Sequence, residues 1–164
     1  MFREMRRARQ QLSDEEATRI LANAMTGVLA VSGDDGYPYA VPLNYVYDDG
    51  HVYFHSAKEG HKVDAIRSCD KASLCVIAKD ELVPGEFTTY FRSVIAFGRI
   101  RPIENEDEKR RTCELIARQC SPHDDEGVAA ELAKGLSRVL MLDFEIEHLT
   151  GKEAIELVRA RTNA

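Results

Sequence analysis

Two Asp-Asp-Gly triplets, Asp34–Gly36 and Asp48–Gly50, constrain this chain more than any other feature. Runs rich in aromatic and branched residues flank them: Val28–Val31, Tyr39–Tyr47 and His51–His55. Tight hairpin turns need positive φ at both central positions, which Asp-Gly adopts at little cost. The pattern therefore predicts three strands folded as a meander of hairpins.

Helix and strand signals alternate around this meander. Ser13 with Glu16 is a capping-box pattern, and Ala17, Ile20, Leu21 and Ala24 repeat at helical spacing. A first helix is thus expected to end by Thr26-Gly27. Glu59–Ser68 reads as a short helix, Ala72–Ala78 as a strand, and Glu81–Glu86 as a loop around Pro84-Gly85. Thr88–Arg101 is the longest strand candidate, with a bend or bulge expected near Gly98. Glu104–Cys120 reads as a helix, with Glu106/Arg110 and Asp107/Arg111 as i,i+4 ion pairs. A helix over Val128–Lys134 and a strand over Val139–Glu147 follow. Thr150 with Glu153 reads as a second capping box, opening a helix through Val158. No repeat or linker divides the chain, so one domain over 1–164 is expected. Its strands suggest an antiparallel barrel, closed or partly open, with helices outside.

Composition narrows the function. A chain of 164 residues, 44 % apolar, buries a core without disulfides. Its formal charge of −6 speaks against nucleic acid as a partner. No apolar run approaches the ~20 residues of a membrane helix. The opening MFREMRRARQQ lacks the apolar core of a signal peptide, so a cytoplasmic protein is expected. Cys69, Cys75, Cys113 and Cys120 form no CxxC pair, and Cys113, Ile116, Ala117 and Cys120 make one apolar helical stripe. No HExxH or comparable grouping exists, so no metal site is expected. Rossmann GxGxxG, Walker and GxSxG signatures are all missing.

Three stretches could carry chemistry. The first, Tyr53–Lys62, places His55, Ser56, His61 and Lys62 where a strand gives way to a helix. Unpaired amides and the positive dipole end suit an anion there, and Lys62 adds a point charge. The spacing of Ser56 and Glu59 reads equally well as a simple helix cap. In the second, Ala40–Tyr45, Pro42 in mid-strand implies an edge, a bulge or a gap. A gap would free backbone groups to meet a flat heterocycle; an edge would only deter aggregation. The third, Thr88–Gly98, alternates Thr89, Phe91, Ser93, Ile95 and Phe97 against Tyr90, Arg92, Val94 and Ala96. Arg92 and Ser93 there need partners: a ligand, a second subunit or a carboxylate. His51 and His55 face away from Val52 and Phe54, and imidazole titrates where proton delivery is useful. A purely structural histidine is the alternative.

The segments FREMRRARQ, GYPYAVPLNYVY, VYFHSAKEGHKVDAIR, FTTYFRSVIAFGRI and HLTGKEAIELVRAR resemble, in order, the nitroimidazole-resistance proteins of the pyridoxamine 5′-phosphate oxidase-like flavin-binding superfamily. The resemblance covers nearly the whole chain and leaves out Ser121–Gly135. It implies a mainly β fold with flanking helices: an antiparallel, Greek-key split β-barrel, homodimeric, with FMN at the dimer interface. It assigns Val41, Pro42, Leu43 and Asn44 to the ring system, and Ser56, His61 and Lys62, beside Ala57, to the ribityl phosphate. The partner subunit would add Arg92, Ser93 and Val94, and His55 matches the active-site histidine. The ending Glu156–Arg161 departs from the Arg-Leu-x-Pro ending of true pyridoxamine phosphate oxidases, so vitamin oxidation is not implied. The function expected is flavin-dependent reduction of a small acceptor of the 5-nitroimidazole type, with the electron donor unidentified. An FMN carrier or sensor, or a haem-handling protein, are the rivals.

Overall fold

Both Asp-Asp-Gly turns form in the computed structural model, which describes residues 2–162. Asp35 and Gly36 have φ of 54° and 79°, and Asp49 and Gly50 have 45° and 86°. The first turn joins β1 (Thr26–Ser32) to β2 (Pro38–Asn44), and the second joins β3 (Val46–Asp48) to β4 (His51–Ser56). With β5 (Lys71–Val83), β6 (Thr88–Pro102) and β7 (Leu140–Glu153) they make one sheet in the order β2-β1-β5-β6-β7-β4-β3. Every pairing in it is antiparallel.

The expected single strand over Tyr39–Tyr47 is instead broken at Tyr45. β2 pairs with β1 and β3 with β4, so the sheet's two edges are separated by this one residue. Consecutive Cα atoms lie about 3.8 Å apart, so the edges meet within roughly 8 Å at that corner and the sheet must curl. It does not close, because β2 and β3 pair with other strands and not with each other. Tyr45 is fully buried, donates its hydroxyl to the Leu21 carbonyl at 2.7 Å and its N–H to the Met25 carbonyl at 3.0 Å. Those two bonds tie the corner to α1 (Asp14–Asn23) and to the residue that leads from it into β1; the Ser13/Glu16 capping box of α1 forms as expected.

Inside the curl lie Leu29, Val31, Val52, Phe54, Leu74, Val94, Ala96 and Phe144, with Leu21 from α1 and Ala65 and Ile66 from α2 (His61–Ser68). Each such side chain contributes roughly 1.5–3 kcal/mol. A second cluster of Tyr53, Ile103 and Met141 packs on the other face beneath Cys113, Leu115 and Ile116 of α3 (Glu106–Cys120). α4 (Asp125–Gly135) and α5 (Ile155–Thr162) complete the chain. No helix among the described residues is long and apolar enough to cross a membrane.

Several expectations shift. β5 runs through Val83 where a loop was expected from Glu81, because β6 pairs with it along its whole length. The expected bulge at Gly98 is present: the β6–β7 register slips between Phe97 and Gly98. A Cβ on Gly98 would run into the Glu145 carbonyl oxygen. β7 continues to Glu153, so Thr150 and Glu153 are strand residues and cap nothing. In α3, Arg111 reaches Asp48 at 2.9 Å and the Tyr53 hydroxyl at 3.0 Å rather than Asp107. Glu106 lies 3.8 Å from Lys109, one residue short of the expected pairing with Arg110.

Candidate functional site

β4 ends at Ser56, and Ala57–Gly60 carries the chain to α2. Gly60 takes φ of 121°, a conformation side chains disfavour, and no side chain caps the helix. Ser56 is buried in the ladder opposite Leu140, which removes the reading of Ser56 as the α2 cap. The N–H groups of Val63 and Asp64 both donate to the Gly60 carbonyl, at 2.8 and 3.1 Å. The amides of His61 and Lys62 precede them and have no intrahelical acceptor, as the first turn of a helix requires. Beside them the half-buried Lys62 ammonium is pushed below the usual lysine range by loss of water. Among the described residues it makes no salt bridge with a carboxylate that would offset that cost. Two free amides and a cation at a helix N-terminus make the positive electrostatic environment that favours an anion.

His61 links this end of α2 to β2. Its ring stacks on Tyr39 with centroids 4.2 Å apart, and its Nε2 lies 3.5 Å from an Asp34 carboxylate oxygen. Tyr39, Val41 and Leu43 face the core, while Pro42 and Asn44 are exposed. β2 is an edge strand whose pairing with β1 runs unbroken through Pro42, so of the edge, bulge and gap that Pro42 allowed the structure has the edge, and the outer backbone groups of β2 face no strand. Thr26 donates to Asn44 Oδ1 at 2.9 Å, which fixes that side chain. β2 and the N-terminus of α2 thus adjoin within one chain.

His55 and Ser56 point to opposite faces at the end of β4. Of the two histidines facing away from the core, His51 is engaged: its Nδ1 lies 2.7 Å from the buried Asp143, which also accepts from Arg101 at 2.7 Å. His55 is exposed and makes no side-chain hydrogen bond among the described residues.

The third stretch lies apart. Pro42 on β2 aligns across the sheet with Val28, Cys75 and Ile95. Three strand spacings separate β2 from β6, roughly 14 Å. Ser93 shares its face with Ile95 and Phe97, whereas Val94 is buried in the core. Arg92 donates its Nε to Glu153 at 2.9 Å, so its partner is a carboxylate of the same chain. A cleft of 560 Å³ between α1 and the β5–β6 hairpin includes Arg92 and none of the β2, β4 or α2 residues. Sequence reasoning missed Tyr39, whose position two residues before Val41 was its only signal. It also missed Glu153, which the Thr150 spacing disguised as a cap.

A family model described as pyridoxamine 5′-phosphate oxidase matches residues 13–153. No curated protein sequence matches the chain. Among solved structures, a FAD-binding protein from Mesorhizobium loti is 29 % identical over 88 % of this chain and 97 % of its own, with a TM-score of 0.66. A candidate 5-nitroimidazole antibiotic resistance protein from Bacteroides thetaiotaomicron is 21 % identical over 87 % and 86 %, with a TM-score of 0.74. A flavocytochrome from Azotobacter vinelandii is 20 % identical over 92 % and 72 %, with a TM-score of 0.79. At these lower identities the likeness establishes the fold.

Proposed function

Because the chain belongs to the pyridoxamine 5′-phosphate oxidase family, we propose that it is an FMN-binding, cytoplasmic homodimer that reduces a small nitro-heterocyclic acceptor. The observation that carries the reading is the α2 N-terminus, where Lys62 and two free amides await an anion. Lys62 and the His61 and Lys62 amides would hold the phosphate, with Ser56 close by in the chain. The backbone of Val41–Asn44 would hold the ring along the free edge of β2. A bound flavin supplies the electron transfer, and the protein supplies orientation and protons. His55, exposed and unengaged, would deliver a proton to the acceptor as it is reduced.

A second subunit is part of this reading, and distance supports it. Arg92–Val94 lies three strands from β2 in one chain, so a ligand on the edge of β2 would meet those residues from a partner. The outward face of the sheet offers a contact surface, with Val28 39 %, Ile95 40 % and Phe97 39 % exposed.

The test is an absorbance spectrum and FMN titration of the purified protein, then a nitroimidazole reduction assay. Saturable binding with turnover, and His55→Ala lowering turnover while FMN stays bound, is the expected result. Equal turnover in His55→Ala removes that residue from the mechanism. Binding without turnover on nitro compounds, quinones or flavins would make the protein a carrier. A Soret band on haem addition, lost in a histidine variant, would favour the haem reading.

A further inference from the structure

Ahead of α1 the chain makes one turn of 3-10 helix at Ala8–Gln10, in which the Gln10 and Gln11 N–H groups donate to the Arg7 and Ala8 carbonyls at 2.9 and 3.1 Å. The turn is anchored on its inner side. Gln10 is 4 % exposed; its Nε2 donates to the Glu153 carbonyl at 2.9 Å, and its Oε1 accepts from Arg7 Nη1 at 3.3 Å. Gln11 bridges to Lys152, and the Leu12 N–H donates to the Gly151 carbonyl at 3.0 Å. A buried side-chain amide bonded at both its oxygen and its nitrogen fixes the local backbone. The arginines around it are therefore displayed from a held support.

Between this turn and the start of α5 lies a cavity of 450 Å³. That volume falls within the roughly 300–1,000 Å³ typical of small-molecule sites. Arg6, Arg7 and Arg9 line it together with Gln10, and Ala8 and Ile155 add apolar surface. It shares no residue with the α2 end, with β2 or with Arg92–Val94. Among the described residues, Arg6, Arg7 and Arg9 make no salt bridge, whereas most arginines of the rest of the chain do. Residues 2–11 hold four arginines against one glutamate, a formal +3 in a chain whose total is −6. Like charges around one cavity repel, and water screens that only in part. The chain has 28 acidic residues, and none of them pairs with this turn. An anion from outside would relieve the repulsion. Guanidinium grips phosphate oxygens through paired parallel hydrogen bonds, and three such groups suit more than one phosphate. The cavity leaves room beyond the phosphates for an organic body, which Ala8 and Ile155 can contact.

We propose that the cavity between the arginine turn and α5 is a binding site for an organic diphosphate, separate from the proposed flavin site. Arg6 and Arg9 hold the phosphates, Arg7 is braced toward them by Gln10, and Ile155 meets the organic body.

The experiment is titration calorimetry on the full chain saturated with FMN, so that the α2 end is filled. The probe is adenosine 5′-diphosphate, with adenosine 5′-monophosphate and citrate as comparators. The diphosphate should bind once per chain, at least tenfold more tightly than the monophosphate. It should also outbind citrate tenfold, because citrate brings comparable charge without the phosphate geometry. Arg6→Gln combined with Arg9→Gln, both at exposed positions, should weaken the diphosphate at least tenfold and leave FMN affinity and Tm unchanged. Diphosphate bound no more tightly than citrate would reduce the turn to diffuse charge and overturn the proposal. So would full diphosphate affinity in the double variant. If FMN does not bind, Lys62→Met takes the place of saturation. Diphosphate binding kept in Lys62→Met would then support this site while the flavin reading falls. Diphosphate binding lost in Lys62→Met would assign the anion to α2 and overturn the proposal.

Discussion

Replacing Lys62 by methionine separates two effects that usually run together. The side chain keeps its length and apolar stem but loses a half-buried ammonium whose charge is disfavoured by burial and relieved by no carboxylate among the described residues. The ligand-free fold should therefore be no less stable in Lys62→Met. Phosphate binding should suffer, because a hydrogen bond to a charged group contributes about 1.5–3 kcal/mol. That is roughly a ten- to 150-fold rise in Kd. The assay is a two-by-two titration, wild type and variant against FMN and riboflavin, followed by flavin fluorescence. Riboflavin lacks the phosphate, so its affinity should be the same in both proteins. The pH dependence has a fixed sign. The folded pKa of Lys62 lies below the unfolded value, so the unfolded state binds more protons between the two and stability of the free protein rises with pH through that window. FMN affinity moves the other way, falling as Lys62 deprotonates earlier than an ordinary lysine, and Lys62→Met should flatten that fall. An FMN Kd within twofold of wild type in Lys62→Met would refute the assignment of this helix end to phosphate.

Three further outcomes follow from the fold. Gly98→Ala should destabilise by about 3 kcal/mol, the upper end for overpacking, because the new Cβ meets the backbone of the paired strand and not a flexible side chain; denaturant unfolding measures it. Tyr45→Phe should cost roughly 1–2 kcal/mol by orphaning the Leu21 carbonyl, which lowers Tm by about 2–8 °C for a chain of this size. Ile95→Glu, on the outward face, should shift sedimentation from dimer to monomer and weaken FMN binding while the isolated chain stays folded.

Much of this architecture is legible in local chemistry. The Asp-Gly turns, the Ser13/Glu16 box and the alternation along β6 each depend on neighbours a few residues away, and each forms as read. Gly98 was legible because glycine in a long apolar strand has few other reasons to exist. What the sequence hid depends on distant partners. Nothing local says that the strand stops at Tyr45, because its hydroxyl acceptor belongs to α1. Thr150 and Glu153 have the spacing of a helix start, yet pairing with β6 keeps them extended and turns Glu153 to Arg92. Ser56 and Glu59 carry the same signal, and the pairing of β4 with β7 overrides it in the same way. The change from strand to helix between Ser56 and His61 was readable from residue order. The proximity of that helix start to β2 was not, because it rests on the stacking of His61 upon Tyr39.

The order of strands also sets when the molecule becomes competent. The β3–β4 and β5–β6 hairpins are local and can form early, but the other neighbour of β4 is β7, some ninety positions downstream, as in the pairing of His51 with Glu145. Pairings across such long loops are slow to close. Every residue of the candidate phosphate site lies before position 63, yet β4, which leads into it, cannot settle until β7 arrives. During synthesis the binding end of α2 would be made early and fixed late, so a ligand offered to the growing chain would find nothing rigid to hold.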